Sequence, residues 1–303
     1  MFEFTADHYD EICRSDAVRE QIDSLEEKRR AAVKRFWIWL LVGIALAVAA
    51  AWSLTVSGWG FLAWVAAALL LAACVVAAMA PLLRLSEDLK DPVLEGLAAR
   101  AGMTYQPGGF APPGYDEAGK ALFGGAISSA SFADLFHGAD AEGRSYAVYE
   151  ASLQRRQGKQ TQTVFSGQMY ALERRPGGRG VTAIVPDRGI FNFFKPAGGM
   201  ERVRIEADPA FEKKFEVYAT EPTEAERLLA DAAFRRRLLE LRQSGRVLAY
   251  AGPRQALVAV AGKDRFEPGS MFRALGGKER VRLMFDDLCA SMTLLRELNA
   301  KLG

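Results

Sequence analysis

Apolar positions run without interruption from Phe36 to Leu83: 48 residues contain no Asp, Glu, Lys, Arg or His, in a chain that is 25% charged overall. As one helix this run would be about 72 Å long, against a hydrocarbon core of about 30 Å. It must fold back. Ser57-Gly58-Trp59-Gly60 is the turn-like interruption, and it leaves the segments 36–56 and 61–83, each about one bilayer thickness. Trp37, Trp39, Trp52, Trp59 and Trp64 gather near the segment ends, where an indole keeps its ring apolar and its N–H wet. Gly43, Ala47 and Ala51 recur every four residues, and Ala63 with Ala67 and Ala68 with Ala72 offer matching small surfaces, which predicts close helix pairing.

The flanks carry the polar half of the pattern. Residues 1–35 read as an amphipathic helix with Ile12, Val18, Ile22, Leu25 and Ala32 on one side. Its acidic start gives way to Lys28, Arg29, Arg30, Lys34 and Arg35, while Arg84 and Lys90 follow the second span and the turn is uncharged. The positive-inside bias then places both ends in the cytoplasm. No ionisable group lies within the spans, so an anchor fits them better than a transport path.

The chain from 85 to 303 reads as one cytoplasmic α+β domain. Asp91-Pro92 looks like a helix start and Gly102 a stop. Residues 106–131, rich in Gly, Pro, Ala and Ser, suggest a linker with a short helix near 116–122. Period-two runs at 146–154 and 162–173 predict a hairpin with a basic tip, continued by strands at 181–186, 202–206 and 215–220. Thr223-Glu224-Ala225-Glu226 reads as a capping box for a helix to Gln243, with a restart at Asp231. A second hairpin at 247–251 and 256–261 precedes a last helix, 281–302. In that helix Val281, Leu288, Leu295 and Leu302 form a heptad stripe, suited to packing on a sheet and alternatively to a contact between copies. The expected fold class is thus α+β: a two-helix transmembrane hairpin followed by a largely antiparallel sheet with packed helices.

Charge and candidate chemistry narrow the function classes. Lys+Arg 39 against Asp+Glu 37 is too balanced for a dedicated nucleic-acid binder. Cys13, Cys74 and Cys289 lack the spacing of a zinc site or disulfide framework, and no metal site is expected. Gly114 to Ala121 imitates a phosphate-binding loop, but Ala121 replaces the magnesium-holding Ser or Thr, and Asp116 and Glu117 sit where phosphate would lie. Gly178-Arg179-Gly180 opens a strand instead of a helix, so no dinucleotide site is expected there either. His137 is the only imidazole of the folded domain and reads as structural or exposed; Asp286 and Asp287 are about 100° apart on a helix and cannot share a substrate. No catalytic residue and no cofactor is therefore assigned. The hairpin tip with Arg155, Arg156 and Lys159 is the candidate binding feature, for anionic lipid or an acidic protein partner.

Several local patterns resemble a widespread bacterial family of uncharacterised membrane proteins with a domain of unknown function. They are Asp134-Leu135-Phe136-His137-Gly138, Val164-Phe165-Ser166-Gly167, Phe215-Glu216-Val217-Tyr218-Ala219 with the Glu-Ala helix after it, and Asp264-Arg265-Phe266-Glu267-Pro268. The Glu-Ala helix departs from the family pattern, with Glu226 where arginine is expected and Arg227 one place later. The resemblance implies architecture and an inner-membrane location, with no activity or site residues to carry over. The expectation is a membrane-anchored, non-enzymatic binding or scaffold domain with the bilayer as first partner. The alternatives are an accessory subunit of a membrane complex, self-associating through its spans or last helix, and an enzyme built on Asp, Glu or Tyr.

Overall fold

The computed structural model describes residues 16–58, 61–124, 127–187, 199–263, 266, 272 and 278–302. They form two compact units: the chain up to 97 with 266–286, and 98–265 with the chain from 287 onward.

In the first unit, α1 (Asp16–Val56) and α2 (Phe61–Arg100) make a helical hairpin. The amphipathic approach and the first apolar segment are one continuous helix; residues 1–15, with Ile12, lie outside the described residues. In α1, Glu26 accepts a two-pronged ion pair from Arg29, at 2.7 and 2.8 Å, and a third bond from Arg30 at 3.0 Å. The small-residue face does what its spacing predicts. Ala47 and Ala51 are buried against Ala67 with Leu71 beside them, and Phe36 meets Ala78 and Leu82 further along. A Cβ on Gly43 would stand 2.8 Å from that of Cys74, so only glycine permits this approach. Ala68 and Ala72, expected in the seam, are exposed instead, and the side chain of Ala63 lies outside those described. The expected helix start at Asp91-Pro92 is also corrected, since α2 runs on through Pro81 and Pro92. Each proline costs a hydrogen bond and crowds the preceding turn, about 3 kcal/mol. Full burial of Leu82, Leu94 and Leu97, at about 1.5–3 kcal/mol each, offsets it.

The second unit is built on a nine-stranded sheet, antiparallel throughout, in the order β1-β2-β3-β4-β9-β8-β5-β7-β6. The strands are β1 (Thr104–Gln106), β2 (Ser129–Ala139), β3 (Ser145–Gln157), β4 (Gln160–Glu173), β5 (Thr182–Pro186), β6 (Glu201–Val203), β7 (Phe215–Ala219), β8 (Val247–Ala251) and β9 (Gln255–Ala261). The stretch read as a linker holds the expected short helix, α3 (Tyr115–Phe123), and in addition the last residue of β1 and the start of β2. The Asp134 to Gly138 pattern lies inside β2, where the sequence pattern predicts no strand.

The meander also differs from expectation, because β9 and β8 stand between β4 and β5. Val247–Ala251 and Ala256–Val260 are buried at every position, which only a central place with both faces covered provides. Gly167 in β4 and Gly245 before β8 allow this insertion, since a Cβ at either would press on the backbone of β9 near 2 Å.

Helices close both faces. On one, Ala118, Leu122 and Phe123 of α3 join Leu135, Tyr149, Leu153, Phe165 and Leu257 in the main core. On the other lies the part of α7 (Lys278–Leu302) from Asp287 onward, whose Leu288, Leu295 and Leu302 are buried. There Ser291 donates to the Gln168 side-chain oxygen at 3.1 Å, and Tyr170 donates to the same oxygen at 2.7 Å. The short α4 (Pro209–Glu212) is capped by Asp208, which accepts from the Phe211 N–H and from Arg235 of α6 (Ala232–Ser244) at 2.9 Å. The capping box is not formed: α5 (Pro222–Leu229) starts at Pro222 behind Glu221, with no side-chain cap, because proline presets the first turn. Asp231 does restart the helix, accepting from the N–H groups of Ala233 and Phe234.

Candidate functional site

Strand register brings together a cleft that no contiguous stretch of sequence displays. On the face covered by α3, His137, Ala147, Ala171 and Leu257 are successive cross-strand partners on β2, β3, β4 and β9. At about 4.8 Å per strand, this row places His137 about 14 Å from Leu257. One step further along the same face, Glu173 of β4 faces Gln255 of β9, and its carboxylate accepts the Ser145 N–H of β3 at 2.9 Å. Alanine side chains make the floor shallow. The roof is the loop 107–114 and the first turn of α3, tied down where the Tyr149 hydroxyl donates to the Pro113 carbonyl at 2.8 Å and Phe110 meets the Tyr149 ring edge-on. The cleft is open to solvent on one side and holds about 740 Å³, with Phe110, Pro113 and Leu135 as apolar wall and Glu117, His137, Glu173, Arg254 and Gln255 as polar rim.

A β-bulge decides which way His137 faces. Phe132 packs on the α3 side, so plain alternation would send Asp134 and Phe136 there. The register shift between Ala133 and Phe136 adds one residue, and Leu135 and His137 take that side instead. Asp134 carries the bulge at φ 54°, buried, accepting from the Tyr105 hydroxyl at 2.7 Å while its N–H reaches the Pro107 carbonyl at 3.0 Å.

Two tyrosine hydroxyls of the main core stand close to the cleft residues. Burial, with Tyr115 and Asp116 adding to it, pushes the Tyr149 hydroxyl well above the ordinary tyrosine range. Burial and the neighbouring Glu117 carboxylate push Tyr250 up to about 12. Both hydroxyls stay protonated at neutral pH and act as donors; that of Tyr250 lies 3.4 Å from Glu117. His137 is half-buried, and neither it nor the side chains of Arg254 and Gln255 have a hydrogen-bond partner among the described residues. Among the described residues no group of three or more His, Cys, Asp or Glu side chains converges as metal ligands.

The basic hairpin tip is elsewhere. The strands run further than expected, so Arg155 and Arg156 belong to β3 and the turn is only Gly158-Lys159, with Gly158 at φ 63°. Arg155 turns back to donate to the Phe123 carbonyl at 2.7 Å, closing the C-terminal end of α3. Arg156 and Lys159 are exposed. The structure thus separates the sequence-derived candidates: one cation braces the roof helix and two face outward. The cleft residues Glu117, Glu173, Arg254 and Gln255 escaped sequence reasoning, because the β4 and β9 pairing that joins them has no local signal.

Comparison with known proteins finds a match to part of the chain. Residues 163–300 match the model of a protein family of unknown function, DUF3137. The match takes in Glu173, Arg254 and Gln255 of the cleft, while Glu117 and His137 precede it. No curated protein matches the chain. Among solved structures there is a distant similarity to the mycobacterial trehalose monomycolate transport factor A, TtfA, at 13% identity and a TM-score of 0.38, covering 66% of this chain and 94% of that one.

Proposed function

We propose that this chain is a membrane-anchored binding protein without catalytic chemistry of its own. Its hairpin sits in a bacterial inner membrane with both termini in the cytoplasm, and its α+β unit serves there as a binding or scaffold domain. One observation carries the reading. Among the described residues, every exposed large hydrophobic side chain except Phe272 lies between Trp37 and Leu83, on helices whose apolar windows, Glu26–Ser53 and Trp64–Leu83, have mean hydropathies of 2.0 and 2.5. Such a surface is unfavourable in water and matched to hydrocarbon. The basic residues flanking the hairpin support the orientation. The cleft supports binding, since its rim offers unengaged donors and acceptors, and no hydroxyl or thiol is hydrogen-bonded to His137 among the described residues. Arg156 and Lys159 would assist by attraction to anionic headgroups or an acidic partner, at about 1 kcal/mol each near a charged surface. Arg155 adds its charge from the side of the same ribbon.

Alkaline carbonate extraction and cysteine labelling test this. The full chain stays in the membrane pellet, a probe at Ser57→Cys reacts from outside intact cells, and a probe at Arg156→Cys reacts only after permeabilisation. Release by carbonate refutes the anchor, and the reverse labelling pattern refutes the orientation.

A further inference from the structure

We propose that the 740 Å³ cleft binds a neutral, hydroxyl-rich small molecule of the saccharide type. This deepens the reading of the α+β unit as a binding domain and rests on it. The bulge is the first support. A non-glycine residue at a left-handed backbone angle is unfavourable and persists where the surroundings over-determine it, often beside a ligand site. Here Asp134 is buried in that conformation, and the extra residue turns His137 toward the cleft.

The choice of ligand follows from the rim. The rim carries both signs, with the carboxylates of Glu117 and Glu173 beside the guanidinium of Arg254, so a ligand of one charge is opposed by part of it whichever sign it has. Hydroxyl groups both donate and accept, so they satisfy carboxylate, amide, imidazole and guanidinium alike. Glu173 spends one oxygen on the Ser145 N–H, and the side chains of His137, Arg254 and Gln255 are unengaged among the described residues. The Phe110 ring and the floor of Ala147 and Ala171 provide an apolar surface for the C–H faces of a sugar ring. The volume lies within the usual range for small-molecule sites, about 300–1,000 Å³.

The test uses the full chain in a detergent without a sugar headgroup. The chain has only two histidines, so the His137 imidazole resonances are assigned by comparison with His8→Gln. Glucose, maltose and maltotriose are titrated beside inorganic phosphate and butylamine. Maltose or maltotriose at millimolar concentration shifts the His137 signals. Glu173→Gln and the exposed-site variant Arg254→Ala, each checked for fold by circular dichroism, weaken that binding about tenfold, the loss of one charge-assisted hydrogen bond. Arg236→Ser, at an exposed position of α6, leaves it unchanged. A shift with phosphate or butylamine and none with the sugars overturns the ligand class while the binding reading stands. Silence from all the probes overturns the small-ligand reading as well.

Discussion

The hairpin and the sheet unit use the same apolar vocabulary in opposite directions. In the sheet unit the largest side chains point inward: Tyr149, Tyr170, Phe211 and Phe215 are all but fully buried. In the hairpin the large side chains point outward, with Trp52 74% and Phe61 79% exposed, and the contact between helices is made by Gly43, Ala47, Ala51 and Ala67. A sheet in water is held by removing apolar area from solvent. Helices in hydrocarbon gain little from that and pack through close backbone approach instead. Residue size at the contact, more than hydrophobicity, therefore distinguishes the two regions.

The largest expected effect sharpens the sheet side of this contrast. Phe215→Ala opens a cavity beside the stacked Phe211 ring, 5.0 Å away, and should cost about 3–5 kcal/mol in urea unfolding of the sheet unit. Helical signal from the hairpin should survive. Next comes Leu69→Asp on the outward face of α2, which should cost about 3 kcal/mol at the centre of a bilayer and raise the fraction extracted by carbonate. At a water-facing position the same change is worth about 0.5 kcal/mol or less, so an unchanged pellet would mean that this surface faces water. Gly43→Val should cost about 1–3 kcal/mol by forcing the helices apart, read as faster maleimide labelling of Cys74 in detergent. Unchanged labelling would show that the seam is looser than its 2.8 Å approach implies.

The smallest effect is on pH dependence. The Arg235 guanidinium, against an opposing desolvation and aided by the Phe211 N–H, holds the Asp208 carboxyl below the usual carboxylate range. Its stabilisation is complete above the unfolded value of about 3.9 and is lost as pH falls toward the lower folded value. Asp208→Asn should flatten the acid limb of a thermal-melt series, and an unchanged slope would remove this pair from the account.

Much of this contrast is legible in the sequence, because each region writes its packing locally. The uncharged run, its turn and the four-residue spacing of Gly43, Ala47 and Ala51 specify the hairpin; the β3 and β4 runs and the hydrophobic stripe from Leu288 to Leu302 specify strands and a covering helix. What was not legible is non-local. The bulge at Asp134 is marked only by a residue type common to ordinary turns, and Gly108, Gly109 and Pro113 disguised the segment that carries the cleft roof. Pro92 looked like a boundary because proline at a helix start and proline tolerated inside a helix leave the same mark. The cleft depends on which strands become neighbours, a property of the assembled sheet.

Strand order also has a consequence in time. The hairpin β8–β9 joins the half-sheet β1–β4 to β5–β7, yet it is the last pair of strands to leave the ribosome. Until it arrives, the edge of β4 from Gly167 to Glu173 waits without its partner for several seconds of synthesis. Chains cut short before Val247 would carry two unjoined half-sheets with open apolar edges, and so would recruit chaperones or aggregate where the complete chain does not.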